Sequence, residues 1–213
     1  DVILNLRFKK VYLMPCFSAK TLIPEALFDK ANVTTLYSLN QEIAPDDTLL
    51  FHPIESMDAY LVETINSPFN DFIREHFPTI RIVNEAYPFI QGALSKALHD
   101  SEQIFLNIQD SFFDVLFIKD TRVQLFNTFN YRTATDTVYF LLNCIKECQI
   151  QKEKLHVSVF GPATNDGKLK ELLSTYLPHP YFAKEPLLNE ILNDKEMNSS
   201  HFIHLLNLHR CGL

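Results

Sequence analysis

Glycine is scarce in this sequence, and the scarcity excludes several kinds of nucleotide site. The 213 residues include four glycines, and none of them precedes Gly92. Phosphate-binding loops use glycine because a residue without a side chain lets backbone N–H groups approach the ligand closely. Neither a Gly-x-Gly-x-x-Gly fingerprint nor a Walker sequence occurs anywhere in the chain. The first half therefore has no loop of the Walker or dinucleotide-binding type.

Positive charge and long apolar runs are also missing. Lys and Arg number 19 against 26 Asp and Glu, which gives a formal net charge of −7, and the basic residues are dispersed. A nucleic-acid-binding surface would need a basic stripe, and a membrane-surface segment would need a Lys-rich amphipathic stretch. No apolar run approaches the roughly 20 residues that span a bilayer. We therefore expect neither nucleic acid nor a membrane as a partner.

Cysteine is too sparse for a disulfide framework. Disulfide-stapled domains are small and rich in cysteine, whereas this long chain has four. We therefore expect reduced thiols and a cytoplasmic protein. The sequence begins without Met inside the apolar segment Val2–Leu6, from which we expect that upstream sequence is absent. The cysteines are Cys16, Cys144, Cys148 and Cys211.

The first half alternates short strands and helices, and we assign residues 1–100 to an N-terminal lobe. The polar stretch His99–Gln103 is the best boundary, so residues 101–213 form a second lobe. Asn66 or Ser67 is expected to cap the helix that starts at Pro68, and Pro78 to end it. Predicted strands are Val11–Ser18, Thr35–Leu39, Thr48–Ile54 and Ile80–Val83, and further helices begin at Pro24 and Pro88.

The second half shows three adjacent strands followed by helix, strand and helix. The strands turn at Asp110-Ser111 and at Lys119–Arg122, and polar and apolar side chains alternate along the third. That order of elements is the wiring of a ribonuclease-H-like half-domain. An edge strand, Tyr181–Ala183, and a largely helical tail from Leu187 should follow. The predicted elements are strands Ile104–Gln109, Phe112–Ile118 and Val123–Tyr131, helix Ala134–Cys148, strand Leu155–Gly161 and helix Gly167–Leu177.

This pattern is similar to the superfamily of sugar kinases, chaperone ATPases and actin. Three segments, Thr21–Asp29, Phe105–Tyr131 and Leu205–Leu213, more closely resemble an uncharacterised Bacteroidetes family that is assigned an actin-like ATPase fold and has no established activity. The resemblance implies an α/β fold class with two ribonuclease-H-like lobes. It also implies that the N-terminal lobe is incomplete, because the family's opening strands are missing.

The superfamily's phosphate loop, Asp-x-Gly on the first hairpin, aligns with Asn107-Ile108-Gln109. Asn107 cannot act as a general base, and Gln109 places a side chain where phosphate would lie. Asp110, next to Ser111 in the turn, could supply a displaced carboxylate. Turn aspartates more commonly make local hydrogen bonds alone.

The superfamily's adenosine loop is a Gly-Gly pair at a strand end, and Gly161-Pro162 occupies that place, with Gly167 before the next helix. Loops of this composition are also generic strand-to-helix connections. We therefore predict no catalytic residues, no metal and no cofactor, with ATP and Mg²⁺ as the alternative. The residues that would bind a nucleotide are Asn107, Gln109, Asp110, Ser111, Gly161 and Pro162.

For two further patterns, a packing role is expected rather than a metal site or a binding patch. His201, His204, His209 and Cys211 match no standard zinc spacing, so packing or surface roles are expected for them. Phe112-Phe113 directly after a turn is expected to be buried rather than to form a partner's patch.

The preferred hypothesis is a binding or scaffold module that keeps the fold without hydrolysis and has a protein partner. The alternatives are a divergent nucleotide-binding ATPase or kinase using the cleft between the lobes, and an assembly component that binds through that cleft or a sheet edge.

Overall fold

The computed structural model describes residues 6–183 and 203–208. The chain divides into two compact units, Asp1–Tyr87 and Pro88–Leu213. The predicted lobe boundary after residue 100 stays a prediction. The division of the compact units falls earlier, within the helix Ala86–Leu94.

The first unit contains a three-stranded antiparallel sheet, β2-β4-β3, and a separate parallel pair, β1 and β5. One face of the three-stranded sheet packs Ile23 and Val62 against Val33 and Tyr37 of the first helix. Packed against this cluster, the Phe28 ring stacks on Tyr60 with centroids 3.8 Å apart. The elements are β1 (Tyr12–Leu13), β2 (Lys20–Pro24), α1 (Val33–Ser38), β3 (Asp47–Ile54), β4 (Ala59–Asn66), α2 (Ser67–His76), β5 (Arg81–Ile82) and α3 (Ala86–Leu94).

The expected capping of α2 is confirmed. The Asn66 side chain accepts a hydrogen bond from Phe69 N at 3.3 Å, and a proline stands in the first turn. An Asx cap satisfies one of the backbone donors that a helix leaves without an intrahelical partner. The helix ends at His76, before Pro78.

Other predictions for this unit are wrong. The segment Thr35–Leu39, predicted as a strand, lies largely in α1, because Val33 and Tyr37 bury one helical face. The Tyr37 hydroxyl donates to Ala19 O at 2.9 Å, which holds the helix on the sheet. The strand predicted over Val11–Ser18 is reduced to two residues. The short helix predicted at Pro24 is confirmed as a 3-10 helix, Glu25–Leu27, whose N-cap Pro24 is also the last residue of β2.

The second unit is a five-stranded sheet in the order β10-β9-β6-β7-β8. Strands β6, β7 and β8 pair antiparallel, whereas β9 pairs parallel with β6 and β10 parallel with β9. The predicted wiring and the edge strand are confirmed. The elements are β6 (Glu102–Ile108), β7 (Phe112–Lys119), β8 (Arg122–Asn130), α4 (Ala134–Glu147), β9 (Leu155–Phe160), α5 (Gly167–Tyr176), β10 (Tyr181–Phe182) and α6 (Ile203–Leu208).

Helices α4 and α5 pack against one face of this sheet. Leu141 and Leu173 are fully buried there among strand residues such as Ile108 and Phe113. Phe112 and Phe113 are 5% and 0% exposed, so the expected burial of this pair is confirmed. Helix α4 begins with a capping box between Thr133 and Asp136. Of the tail from Leu187, the structure describes the six-residue helix α6.

No helix among the described residues is long and apolar enough to cross a membrane. The predictions for His201, His209 and Cys211 lie outside the described residues.

Candidate functional site

The hairpin between β6 and β7 carries four of the predicted nucleotide-binding residues. Its turn is closed by Gln109 N, which donates to Phe112 O at 2.9 Å, and Asp110 and Ser111 are both exposed. Tyr131, the residue that follows β8, also holds this turn in place. Its hydroxyl donates to Gln109 O at 2.5 Å and its backbone N donates to Ser111 O at 3.0 Å.

Asn107, at the position of the superfamily's aspartate, is fully buried. Its Nδ2 donates to Asp114 Oδ2 at 3.0 Å, across the β6–β7 pair. Its Oδ1 accepts from Gln109 Nε2 and from His204 Nε2, each at 2.9 Å. Asp114 Oδ1 accepts in turn from Thr128 Oγ1 on β8 at 2.7 Å. We call these five residues the Asn107 cluster.

The cluster includes two functional candidates that sequence reasoning missed. Asp114 is a fully buried carboxyl group in the otherwise apolar first part of β7, and its position was in principle predictable. A hairpin with a two-residue turn at Asp110-Ser111 pairs Asn107 with Asp114. His204, 3% exposed, comes from α6, and no local pattern places it beside Asn107.

The Gly161 loop follows β9 and lies beside the end of β6. Gly161 has φ 99° and ψ 168°, a conformation that residues with a Cβ rarely adopt. A Cβ at this position would lie 2.3 Å from Ile108 O. Gly161 is therefore required by the close approach of the chain's own backbone.

The helix after this loop has its first turn capped by its own chain. Asp166 is the N-cap of α5, which begins at Gly167. Its Oδ1 accepts from Lys168 N at 2.8 Å and from Leu169 N at 3.2 Å. A carboxylate already occupies the end of the helix that would attract a phosphate.

The electrostatic environment between the hairpin turn and this loop is acidic. Burial raises the pKa of Tyr131, and the negative charges of Asp110 and Asp166 raise it further. Two carboxyl groups therefore act on one phenol between the hairpin turn and the Gly161 loop.

These residues do not fit a magnesium-bound triphosphate. The Asn107 amide is buried and already hydrogen-bonded, and the Ile108 backbone fills the space where a Cβ of residue 161 would lie. Within residues 6–183 and 203–208 there is no group of three or more His, Cys, Asp or Glu side chains that could hold a metal. Nucleotide binding by Asn107, Gln109, Asp110, Ser111, Gly161 and Pro162 stays a prediction.

A second buried polar network lies in the first unit. Lys20 Nζ donates to Glu85 Oε1 at 2.7 Å and to Phe17 O at 3.0 Å, and both side chains of the ion pair are almost fully buried. Glu63, on the strand next to Lys20, accepts from the Asn84 amide and contacts His52 Nε2 at 3.2 Å. Asn84 Oδ1 also accepts at 2.7 Å from the N–H of Ala86, the first residue of α3. Its internal pairing gives this network a structural role.

Comparison with known structures identifies the fold. A protein from Bacteroides thetaiotaomicron, described as having an actin-like ATPase fold and unknown function, matches with a TM-score of 0.85 and 18% sequence identity over 99% of this chain and 77% of its own. The PilM-PilN type IV pilus biogenesis complex matches with a TM-score of 0.58 and 12% identity, over 99% of this chain and 82% of that chain. The chain therefore has an actin-like ATPase fold.

No curated protein sequence matches the chain. The profile of the family DUF3822, whose members are described as proteins of unknown function, matches residues 1–179. The chain belongs to the DUF3822 family.

Proposed function

We propose that this protein is a non-catalytic interaction module that keeps the actin-like ATPase fold to bind a protein partner in the cytoplasm. The observation that carries the proposal is the state of Asn107, which is fully buried and hydrogen-bonded to Asp114, Gln109 and His204. An amide in place of a carboxylate offers neither a general base nor a charged ligand for a metal ion.

The cost of opening this site supports the proposal. Each hydrogen bond to Asn107 contributes about 1 kcal/mol, and leaving a buried polar partner unsatisfied costs about 1–3 kcal/mol. A nucleotide that turned Asn107 towards solvent would have to replace all of these contacts. The acidic surroundings of Tyr131 add an electrostatic penalty for phosphate.

Two further observations favour a protein partner. The PilM-PilN complex shows a protein of this fold bound to another protein, at a TM-score of 0.58. The net charge of −7, without a basic stripe, is a poor match for nucleic acid or an anionic membrane surface.

The alternative is a divergent nucleotide-binding ATPase or kinase that uses ATP with Mg²⁺. One observation favours it, namely the buried carboxyl of Asp114 directly opposite Asn107. In such an enzyme the acid would come from β7 in place of β6. Asp114 would then need to exchange Thr128 and Asn107 for a metal ion.

Thermal unfolding with ATP, ADP and Mg²⁺ distinguishes the non-catalytic module from the nucleotide-binding enzyme. A ligand that binds only the folded state at 100 times its Kd stabilises it by about 2.7 kcal/mol. We expect no saturable rise in Tm at millimolar nucleotide. A saturable rise that disappears in Asp114→Asn or Asp110→Ala, but persists in the exposed control Asp71→Ala, would overturn the non-catalytic proposal.

A further inference from the structure

Strand β8 forms one edge of the five-stranded sheet in the second unit. It pairs with β7 on one side, and within the part of the chain that the structure describes no strand pairs with its other side. The edge is long, because β8 has nine residues, Arg122–Asn130, and none of them is buried. Such an edge presents a row of backbone N–H and C=O groups that have no strand partner.

Alternate residues of β8 carry the outward-facing backbone groups. Tyr131, just after the strand, donates from its backbone N to Ser111 O at 3.0 Å and so faces the β7 side. The orientation alternates from residue to residue along an antiparallel pair. Thr128 agrees with this alternation, because its N–H donates to the side-chain Oδ1 of Asn127 at 2.9 Å. The residues whose backbone groups point away from β7 are Phe126, Thr128 and Asn130.

The other sheet edges have features that discourage pairing with another chain, whereas β8 has few of them. Strand β2 contains Pro24, β3 contains Pro53, and β1, β5 and β10 have two residues each. Proline and short length are common protections of an exposed edge. Strand β8 has no proline, and its one charged residue, Arg122, is its first. The irregularity in its pairing with β7 lies before Leu125, so the rest of the strand is regular.

Aromatic side chains lie beside this open edge on the face that α4 covers. The ring of Phe129 on β8 stacks on Phe140 of α4 with centroids 5.0 Å apart, and Tyr139 packs edge-on against Phe140 at 5.5 Å. Tyr139 is 61% exposed and Phe140 is half-buried. Side chains of a strand added beside β8 would contact these rings, so pairing at the edge buries apolar surface and also satisfies backbone groups.

We propose that β8 pairs antiparallel with β8 of a second copy of this chain, so that two five-stranded sheets join across a two-fold axis. A register centred on Thr128 places Phe126 opposite Asn130 of the other copy. Each of the three outward residues then exchanges both of its backbone hydrogen bonds with the facing strand. A two-fold interface uses the same surface on both copies and leaves neither edge open.

The side chains of β8 fit this self-pairing. Thr128 faces Thr128 of the other copy, and threonine pairs across strands are favourable. The two Arg122 side chains lie at opposite ends of the joined strands, so like charges do not face each other. The Thr128 N–H exchanges the Asn127 side chain for a carbonyl oxygen, which keeps this donor satisfied. The inference goes beyond the proposed function, because it concerns a second copy of the chain and does not name the surface for the protein partner.

The test uses the full chain over a range of concentrations, with sedimentation equilibrium for its mass and NMR for amide exchange. We expect a reversible dimer, and exchange protection that rises with dimer formation at the N–H groups of Phe126, Thr128 and Asn130. The N–H groups of Asn127 and Phe129 face β7 and should be protected at every concentration, which makes them the internal control. A chain that stays monomeric up to millimolar concentration would overturn the proposal. So would a dimer in which the three outward groups exchange as fast as in the monomer.

Charge variants test the register. Phe126→Lys/Asn130→Lys places like charges opposite each other across the two-fold axis, whereas Phe126→Lys/Asn130→Glu places opposite charges there. The second variant is the matched control, because both lose the same phenylalanine and the two positions are about 13 Å apart within one strand. The dimer contains this pair twice, so we expect the Lys/Lys variant to dissociate about tenfold more readily than the Lys/Glu variant. Equal dissociation constants for the two variants, with thermal unfolding showing that both are folded, would contradict the proposed pairing.

Discussion

The carbonyl oxygen of Ile108 lies 2.3 Å from the point where a Cβ on residue 161 would stand. This close approach is between the end of β6 and the residue that follows β9. The resemblance described in the sequence analysis implies that ATPases of this fold bind nucleotide with the loops after these two strands. The glycine is thus used by the protein's own backbone, and the residue type alone does not indicate a ligand.

The first prediction concerns Gly161. Replacing it with Ala should lower the free energy of unfolding by about 3 kcal/mol, because φ 99° is strained for a residue with a Cβ and the methyl group meets Ile108 O. Denaturant unfolding measures the change. Gly167→Ala is the matched control, since a Cβ there meets nothing within 4 Å. A loss for Gly161→Ala no larger than for the control would contradict this explanation.

The second prediction concerns the buried pair of Lys20 and Glu85. Lys20→Met should cost about 3–5 kcal/mol, because it leaves the Glu85 carboxyl buried without its cationic partner. The double variant Lys20→Met/Glu85→Leu should recover most of that loss. Chemical denaturation of the single and double variants measures both effects.

A pair with one exposed member provides the comparison for this experiment. Lys119, half-exposed, pairs with Glu102 at 2.8 Å, and Lys119→Met should have a much smaller effect than Lys20→Met. If the double variant is as unstable as Lys20→Met, the loss comes from packing and the ion-pair account fails.

Much of the second unit could be predicted because its signals are local. Strands β6 and β7 are short apolar runs, β8 alternates polar and apolar residues, and α4 shows an apolar stripe at helical spacing. The turn at Asp110-Ser111 fixes the register as well, so the pairing of Asn107 with Asp114 follows from the turn.

The remaining features depend on contacts between distant residues. Tyr37 belongs to a segment predicted as a strand, and its burial against the sheet favours a helix instead. The two-residue strands β1 and β5 exist because they pair with each other across the first unit. His204 reaches Asn107 only through tertiary packing, so the Asn107 cluster could not be read from the sequence.

The third prediction concerns acid stability. Burial alone would raise the pKa of Glu102, but hydrogen bonds from Lys119 and from Gln151 N, with the charges of Lys119 and Lys154, hold it below its ordinary value of 4.5. A carboxyl group with a depressed pKa contributes stability that is full above its unfolded-state pKa and is lost as the pH falls through the folded-state pKa. The wild type should therefore lose this contribution below about pH 4.5.

Thermal unfolding between pH 3 and pH 7 tests this sign. Glu102→Gln should be less stable than the wild type at pH 7, and the difference should shrink as the pH falls below 4.5. The exposed Glu171→Gln serves as the control. A difference between Glu102→Gln and wild type that is independent of pH would contradict the assignment.

The fourth prediction concerns thiol reactivity. Burial, and then the neighbouring Cys148, raise the pKa of Cys144 to about 11. Burial likewise raises the pKa of Cys148, with the charge of Glu147 adding to it. The thiolate is the reactive form, so alkylation at pH 7.5 should modify exposed Cys16 first, Cys148 slowly, and Cys144 only after unfolding.

Mass spectrometry of the tryptic peptides after timed iodoacetamide treatment measures this order. Addition of denaturant should equalise the rates at Cys144 and Cys148, because it removes the burial that raises both pKa values. Cys211 lies outside the described residues and is followed on its own peptide. If Cys144 in the folded protein reacted as fast as Cys16, α4 would have to open at that face, contrary to its packing against the sheet.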